Sequence, residues 1–406
     1  MKSFLKFLVS SMFIFTTLIS CKVITNNNNP GTTNDVYFNY SGFEFTFNQT
    51  TTLTSDADTV KAVYNYKTID QDCKEITCSA YCEYETGNGE TGTEFKLIIV
   101  DCHGTLMNNN SRPSNSGASF RIADIPSKKA IIIAPDYIGY GITHGKTHPY
   151  VVADLNARNI IDSILSVKRK SGLKFADDCK TLIMGYSQGG QTSLATCKFI
   201  QNSIPVEYKN DLNVSKVYAG AGPYDLVATM NTFLSSDAVI SPFVYLVIKG
   251  YLSMGYSSLK NYELEDFFTE EFLNSNMRAS LDQMNYSLST GGTELVTFSD
   301  INNLATPEFI NSSSNISKAF KQALQQNNLT TGWTPEVPVY IYHLQDDDVV
   351  PFINFQKLEE GMSNCSNIEF YKNTDTITTS GPFDFKHGKA AHAFYIKIIN
   401  EINLLP

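Results

Sequence analysis

The decapeptide Thr181-Leu182-Ile183-Met184-Gly185-Tyr186-Ser187-Gln188-Gly189-Gly190 carries the clearest chemistry in the chain. An apolar run of strand character enters a Gly-x-Ser-x-Gly pentapeptide, and a helix-compatible stretch, 191–200, follows at once. That context predicts a nucleophile elbow, a sharp strand-to-helix turn with Ser187 at its tip. Gly185 and Gly189 lack a Cβ, so strand and helix can approach each other closely there. The N–H of Gln188, at the helix start, would point to where charge develops on an attacked carbonyl oxygen. The competing reading is a glycine-rich helix start with Ser187 as a simple cap.

A serine nucleophile needs a base, and the base needs an acid to orient it. In elbow proteins both follow the serine along the chain. Of the six histidines, only His343, His387 and His392 do so. His343 ends a strand just ahead of an acidic loop. His387 precedes Gly388 and the closing helix, where its ring can sit in a loop beside the serine. It is favoured over His392, which already lies at the helix start. The acid comes from Asp346-Asp347-Asp348-Val349-Val350-Pro351, a carboxylate run at a strand end. Asp347, four residues before the proline, is favoured over Asp346 and Asp348, and at least two of the three are expected to be plain solvated turn.

The surrounding elements must hold these groups together. Strands are expected at 59–69, 76–85, 95–102, 130–134, 181–186, 215–219, 339–342 and 368–371. Helices are expected at 155–168, 191–200, 354–362 and 391–402. Two antiparallel entry strands followed by strand–helix alternation predict an α/β protein with a mostly parallel sheet and helices on both faces. Between 224 and 333 the alternation stops. The apolar run 240–256, broken by Pro242, Lys249 and Gly250, is too interrupted to span a membrane and suits an inserted helical cap. The chain thus divides into core segments 36–223 and 334–406 with the cap, 224–333, between them.

The 406 residues are 42% hydrophobic and 18% charged, an ordinary globular composition. A net charge of −10 argues against nucleic acid and offers no basic face to anionic lipid. Residues 1–20 read as a signal peptide, with Lys2 and Lys6 ahead of a short apolar stretch. Leu18-Ile19-Ser20-Cys21 resembles a bacterial lipobox, which would make Cys21 a lipid-attachment site in the cell envelope; the alternative is ordinary secretion. Residues 21–35 form an asparagine-rich polar linker. Cys73, Cys78 and Cys82 lack a Cys-x-x-Cys pair and a nearby histidine, which speaks against zinc.

Taken together the motifs resemble the α/β-hydrolases, closest to the secretory-lipase and related esterase group. The residues that carry the resemblance are His103-Gly104-Thr105, Pro135-Asp136-Tyr137-Ile138-Gly139-Tyr140-Gly141, His148-Pro149-Tyr150, the Ser187 pentapeptide, Gly222-Pro223-Tyr224-Asp225-Leu226 and Asp347-x-Val349-Val350-Pro351. They occur in the group's order and, apart from the cap, span residue 60 to the end. The resemblance implies a serine hydrolase of carboxylic esters with Ser187, Asp347 and His387 catalytic. It implies an oxyanion hole from the N–H groups of Gln188 and Thr105, and a chemistry that needs no metal or organic cofactor. The substrate would be a small-molecule or lipid ester. The run of glycines that some esterases carry after the His-Gly pair is missing here. Asp136 is expected to fix a turn, His148 to pack near the cleft, and Tyr137 and Tyr140 to reach the pocket mouth. Phe243, Tyr245, Leu246, Val247, Tyr251 and Leu252 of the cap would shape an apolar acyl pocket. The rival readings are a serine exopeptidase on the same fold and an inactive surface-binding lipoprotein.

Overall fold

The structure is a computed structural model and describes residues 35–56, 59–87, 94–126, 128–235, 241–288, 292–380 and 384–405. The signal peptide and Cys21 lie outside the described residues. Nine strands form one sheet: β1 (Asn48–Asp56), β2 (Thr59–Ile69), β3 (Glu75–Glu85), β4 (Phe95–Cys102), β5 (Ala130–Pro135), β6 (Phe175–Tyr186), β7 (Val214–Gly220), β8 (Val339–Leu344) and β9 (Ile368–Asn373). Their order is β1-β2-β3-β5-β4-β6-β7-β8-β9. β1, β2 and β3 run antiparallel, β3 joins β5 antiparallel, and from β5 to β9 every pairing is parallel.

Parallel strands are covered on both faces and therefore read as continuous apolar runs. Alternate residues of β4, β5 and β6 divide between two cores as the pleat requires. Ile98, Val100, Ile131, Ile133 and Ile183 enter one core. Leu97, Ile99, Ile132, Leu182 and Met184 enter the other. The first core is covered by α1 (Ala153–Lys170) and α2 (Gln188–Asn202), with α3 (Val206–Leu212) beside them. The second is covered by the closing helix, whose Ala390, Phe394, Ile398 and Ile402 recur at helical spacing and are buried. Each fully buried isoleucine contributes roughly 1.5–3 kcal/mol.

Between β7 and β8 the chain forms α4 (Leu226–Phe233), α5 (Ser241–Ser253), several short helical turns and α6 (Asn315–Gln325). After β8 come α7 (Ile353–Gly361), β9 and the closing helix α8 (Lys386–Asn403). Residues 35–47 are clasped onto the core. Arg158 of α1 is fully buried, pairs with Asp162 at 2.6 Å, donates to the Tyr37 carbonyl and lies 3.7 Å over the Tyr40 ring.

Two expectations need correcting. β1 was not anticipated: its sequence is threonine-rich and polar, and its pairing with β2 is interrupted by register shifts, as suits an edge strand. The closing helix begins at Lys386 rather than 391, so His387 is helical and not in a loop. Cys78 and Cys82 of β3 are buried free thiols.

Candidate functional site

β4, β6 and β8 run parallel, so their carboxyl ends share one edge of the sheet, the edge where ligands bind in open α/β sheets. Thr105 follows β4, Ser187 follows β6 and Asp347 follows β8. Sheet topology alone brings together residues separated by up to 242 positions.

Ser187 sits between β6 and α2 with φ 61° and ψ −124°, a strained conformation for a residue with a side chain. The glycines on either side permit it. A Cβ on Gly189 would overlap the carbonyl oxygen of Cys102, and one on Gly185 would lie 2.6 Å from that oxygen. The Ser187 N–H donates to the Gly220 carbonyl at 2.9 Å, which pins the turn to β7. Gln188 opens α2, where the first N–H groups have no intrahelical acceptor. The loop after β4 runs alongside: a Cβ on Gly104 would lie 3.8 Å from that of Ser187. His103 seats this loop. Its ring stacks on Tyr137 at 3.8 Å, its Nδ1 lies 2.7 Å from the Gly104 oxygen, and burial pushes its pKa down to about 4.

Across the cleft, Asp347 Oδ2 accepts from His387 Nδ1 at 2.7 Å. Its Oδ1 accepts from the N–H groups of Val349 and Val350 at 2.9 and 2.8 Å. Burial pushes the Asp347 pKa up, but His387, His343 and the Val349 N–H more than offset it and leave the carboxyl below its ordinary value. His387 Nε2 is buried without a hydrogen-bond partner. The Tyr186 ring packs on the His387 ring at 4.9 Å. His343, fully buried, lies 3.7 Å from Asp347 and bonds the Val350 carbonyl through Nε2 at 3.0 Å, so it backs the acid. His392 is exposed on α8.

The aspartate run is not plain solvated turn. Asp348 accepts from the N–H groups of Lys386 and His387 at 3.0 and 3.1 Å and so caps α8. Asp346 pairs with the Lys386 ammonium at 2.5 Å. All three carboxylates therefore grip the segment that carries His387. Sequence reading had no signal for this, because the contacts span 38 to 40 positions and the cap donors belong to a helix start placed too late.

A cleft of about 460 Å³ opens over Ser187 and Gln188. Its far wall comes from Leu226, Met230 and Phe233 of α4, Phe243 and Val247 of α5 and Leu324 of α6. Of the six cap residues expected there, Phe243 and Val247 line it; they share a face at i, i+4 spacing. Tyr245 is turned instead toward Phe268, Phe272 and Asp282. Leu246, Tyr251 and Leu252 are not part of the lining. Tyr137 and Tyr140 are fully buried behind the cleft, and Tyr150 reaches it. The Asp136 carboxylate ties separate segments together rather than its own turn, accepting from the Ser114 N–H at 2.8 Å and the Ser79 hydroxyl at 2.5 Å. Among the described residues no cluster of His, Cys, Asp and Glu is arranged to hold a metal ion, and no helix is long and apolar enough to cross a membrane.

The sheet order, the elbow and the inserted helices define an α/β-hydrolase fold. Residues 120–380 match the secretory lipase family, and the chain belongs to it. That membership makes it a hydrolase of the lipase/esterase type. No curated protein sequence matches the chain. Among solved structures it resembles the rice cell wall degrading esterase LipA from Xanthomonas oryzae, at 20% identity and a TM-score of 0.64 over 89% of this chain and 96% of that one. A putative hydrolase from Legionella pneumophila aligns at 19% identity and a TM-score of 0.68, over 86% of this chain and 90% of that one. Candida antarctica lipase A in its closed state aligns at 16% identity and a TM-score of 0.60, over 89% and 82%.

Proposed function

We propose that the protein cleaves carboxylic esters through a serine-bound acyl intermediate, with Ser187 as nucleophile, His387 as base and Asp347 as its orienting acid. Ser187 Oγ bonds to the acyl carbon while its proton passes to His387 Nε2. The imidazolium, steadied by Asp347, returns that proton to the leaving alcohol as the carbon–oxygen bond breaks. Water, deprotonated by the same histidine, then releases the acid and restores Ser187. The N–H groups of Gln188 and Thr105 are the donors proposed for the oxyanion, each worth on the order of 3 kcal/mol of barrier. The observation that carries the reading is the Asp347–His387 bond at 2.7 Å, which leaves Nε2 unpartnered, combined with the strained φ of Ser187. The apolar wall of α4, α5 and α6 suits an apolar acyl chain.

The test is hydrolysis of nitrophenyl acyl esters beside aminoacyl anilides. Ser187→Ala should fold normally and lose about a million-fold in ester turnover. Near-wild-type turnover in that variant rules the mechanism out, and preference for the anilides replaces the esterase with an exopeptidase. Lipid attachment at Cys21 stands as a separate proposal. Mass spectrometry of the mature N-terminus checks it, and an unmodified N-terminus in the soluble fraction replaces it with plain secretion.

A further inference from the structure

We propose that segment 148–151 is the brace of the oxyanion hole, with His148 acting through Gln188 and Tyr150 acting through Thr105. The inference rests on the catalytic reading above and adds two positioning residues to it.

The His148 side is fixed by proton counting. Its Nδ1 lies 2.7 Å from the Ile138 carbonyl oxygen, and its Nε2 lies 2.6 Å from the side-chain nitrogen of Gln188. The ring is buried, and burial pushes its pKa down to about 3, so it carries a single proton in the working range. The Ile138 carbonyl can only accept, so that proton is on Nδ1. Nε2 is then a lone pair, and the group facing it must be the amide NH₂ of Gln188. The side chain of the residue after the nucleophile is thereby held in one orientation, with its Oε1 turned away and unpartnered. The imidazole itself cannot shift. It is enclosed by Tyr137, Tyr140 and Tyr150 at ring distances of 5.9, 5.0 and 5.9 Å. Gly139, at φ +97°, lets it in, since a Cβ there would lie 2.8 Å from that of His148.

The other contacts come from the same few residues. The Tyr150 hydroxyl is 2.7 Å from Thr105 Oγ1, on the loop that passes Ser187. The Val151 carbonyl accepts from Gln191 Nε2 at 3.2 Å, one turn further along α2. One segment thus holds both residues assigned to the oxyanion hole. It also carries the cap: a Cβ on Gly250 of α5 would meet the Tyr150 nitrogen at 2.8 Å and the His148 oxygen at 3.1 Å. The Tyr251 hydroxyl donates to the Val151 carbonyl at 3.4 Å.

A positioning role predicts a loss in turnover without a loss in ground-state binding. His148→Phe keeps a ring among the tyrosines and removes the acceptor; Gln188→Met removes the donor; Tyr150→Phe removes the hydroxyl. Each should lower kcat on a nitrophenyl ester about tenfold with KM within about twofold, less than the ~10²–10³ expected for deleting an oxyanion donor outright. Affinity for a boronic acid, which forms a tetrahedral adduct on the serine, should weaken by the same factor as kcat. His148→Phe combined with Gln188→Met should be no worse than either alone, because both break one link. His148→Phe combined with Tyr150→Phe should multiply. The proposal is overturned if kcat stays within twofold in Gln188→Met and Tyr150→Phe, if the losses fall on KM, or if the first pair multiplies. Should His148→Phe fail to fold, Gln188→Met and Tyr150→Phe decide alone. Ser187→Ala in the same assay separates the two ideas: residual turnover there removes the catalytic reading, whereas a dead Ser187→Ala beside fully active brace variants removes only the brace.

Discussion

The two halves of the site are built from different materials. The half around Ser187, Gln188 and Thr105, where we propose the nucleophile, rests chiefly on backbone-to-backbone approach, with the buried rings of His103 and His148 behind it. The half around Asp347 and His387, the proposed acid and base, rests on carboxylates that grip a helix start, two of them on exposed residues, with buried His343 behind Asp347. Groups that must not move by a fraction of an ångström are held by contacts with no slack. The proposed base, which would have to serve both serine and leaving group, is held by charge and hydrogen bonds, which tolerate small motion.

The sharpest way to break this contrast is Gly189→Ala. The added Cβ runs into the Cys102 carbonyl, which belongs to a central strand and cannot retreat. We expect loss of both soluble folded protein and activity; circular dichroism and turnover close to wild type would show that the elbow has slack after all.

On the other half, His387→Ala should cost about 10⁶ in kcat and Asp347→Asn about 10⁴. His392→Ala should cost almost nothing, and Asp348→Ala, which removes only a cap, about 1 kcal/mol of stability with activity retained at reduced rate. Kinetics of the four variants side by side check the assignment; a larger loss for His392 than for His387 would reverse it.

Acid should act on both halves through buried histidines, since burial also holds His343, behind Asp347, below its ordinary value. His103 and His148 have folded pKa values of about 4 and about 3, well below the ordinary 6.5. As pH falls below that value the unfolded chain takes up protons that the native rings refuse. Stability is then lost at up to ~1.4 kcal/mol per pH unit for each histidine. Asp347, also held below its usual value, contributes loss only in the carboxylate range, below pH ~4. Asp101 and Asp136, raised by burial, work in the opposite direction. The histidine share is therefore read as a difference: urea midpoints at pH 7 and 4.5 should fall less for His148→Phe than for the wild type. Equal falls would mean that His148 does not stay neutral.

The smallest expected effect is Gly388→Ala. A Cβ there meets nothing within 4 Å, and the residue lies in the first turn of α8. Activity should be unchanged and stability up by roughly 0.5–1 kcal/mol, measurable as a small rise in Tm.

That last position also explains what the sequence could and could not disclose. His387-Gly388 reads as a loop because glycine ordinarily ends helices, yet Asp348 supplies the cap from 39 positions away, and no local pattern records that. The same distance hid the purpose of the aspartate run. Phe95–Cys102 and Thr59–Ile69 were legible to the residue, because burial on one or both faces leaves a periodic trace, whereas β6 starts at Phe175, six residues before its apolar run, because Ala176-Asp177-Asp178 reads as polar loop. β1 left none, being an edge strand of threonines. The elbow was legible because its Gly-x-Ser-x-Gly spacing is local and Gly185 faces the Gly189 carbonyl four residues on, although the contact of both glycines with the Cys102 carbonyl left no trace in the sequence. The role of His148 was visible merely as packing, since its meaning lies in which atom of Gln188 it faces.

The cap enters after β7 and returns at β8, and these two strands are paired neighbours in the sheet. It therefore occupies the place of an ordinary crossover of a dozen or so residues, lengthened about tenfold. Loop-closure entropy grows only with the logarithm of length, by about 0.6 kcal/mol per doubling, so closing the longer connection adds only about 2 kcal/mol, while ordering the inserted helices is offset by their own burial. The wall proposed to meet the acyl chain can thus change in size, provided it packs within itself, while the sheet edge bearing Ser187, Asp347 and His387 stays as it is.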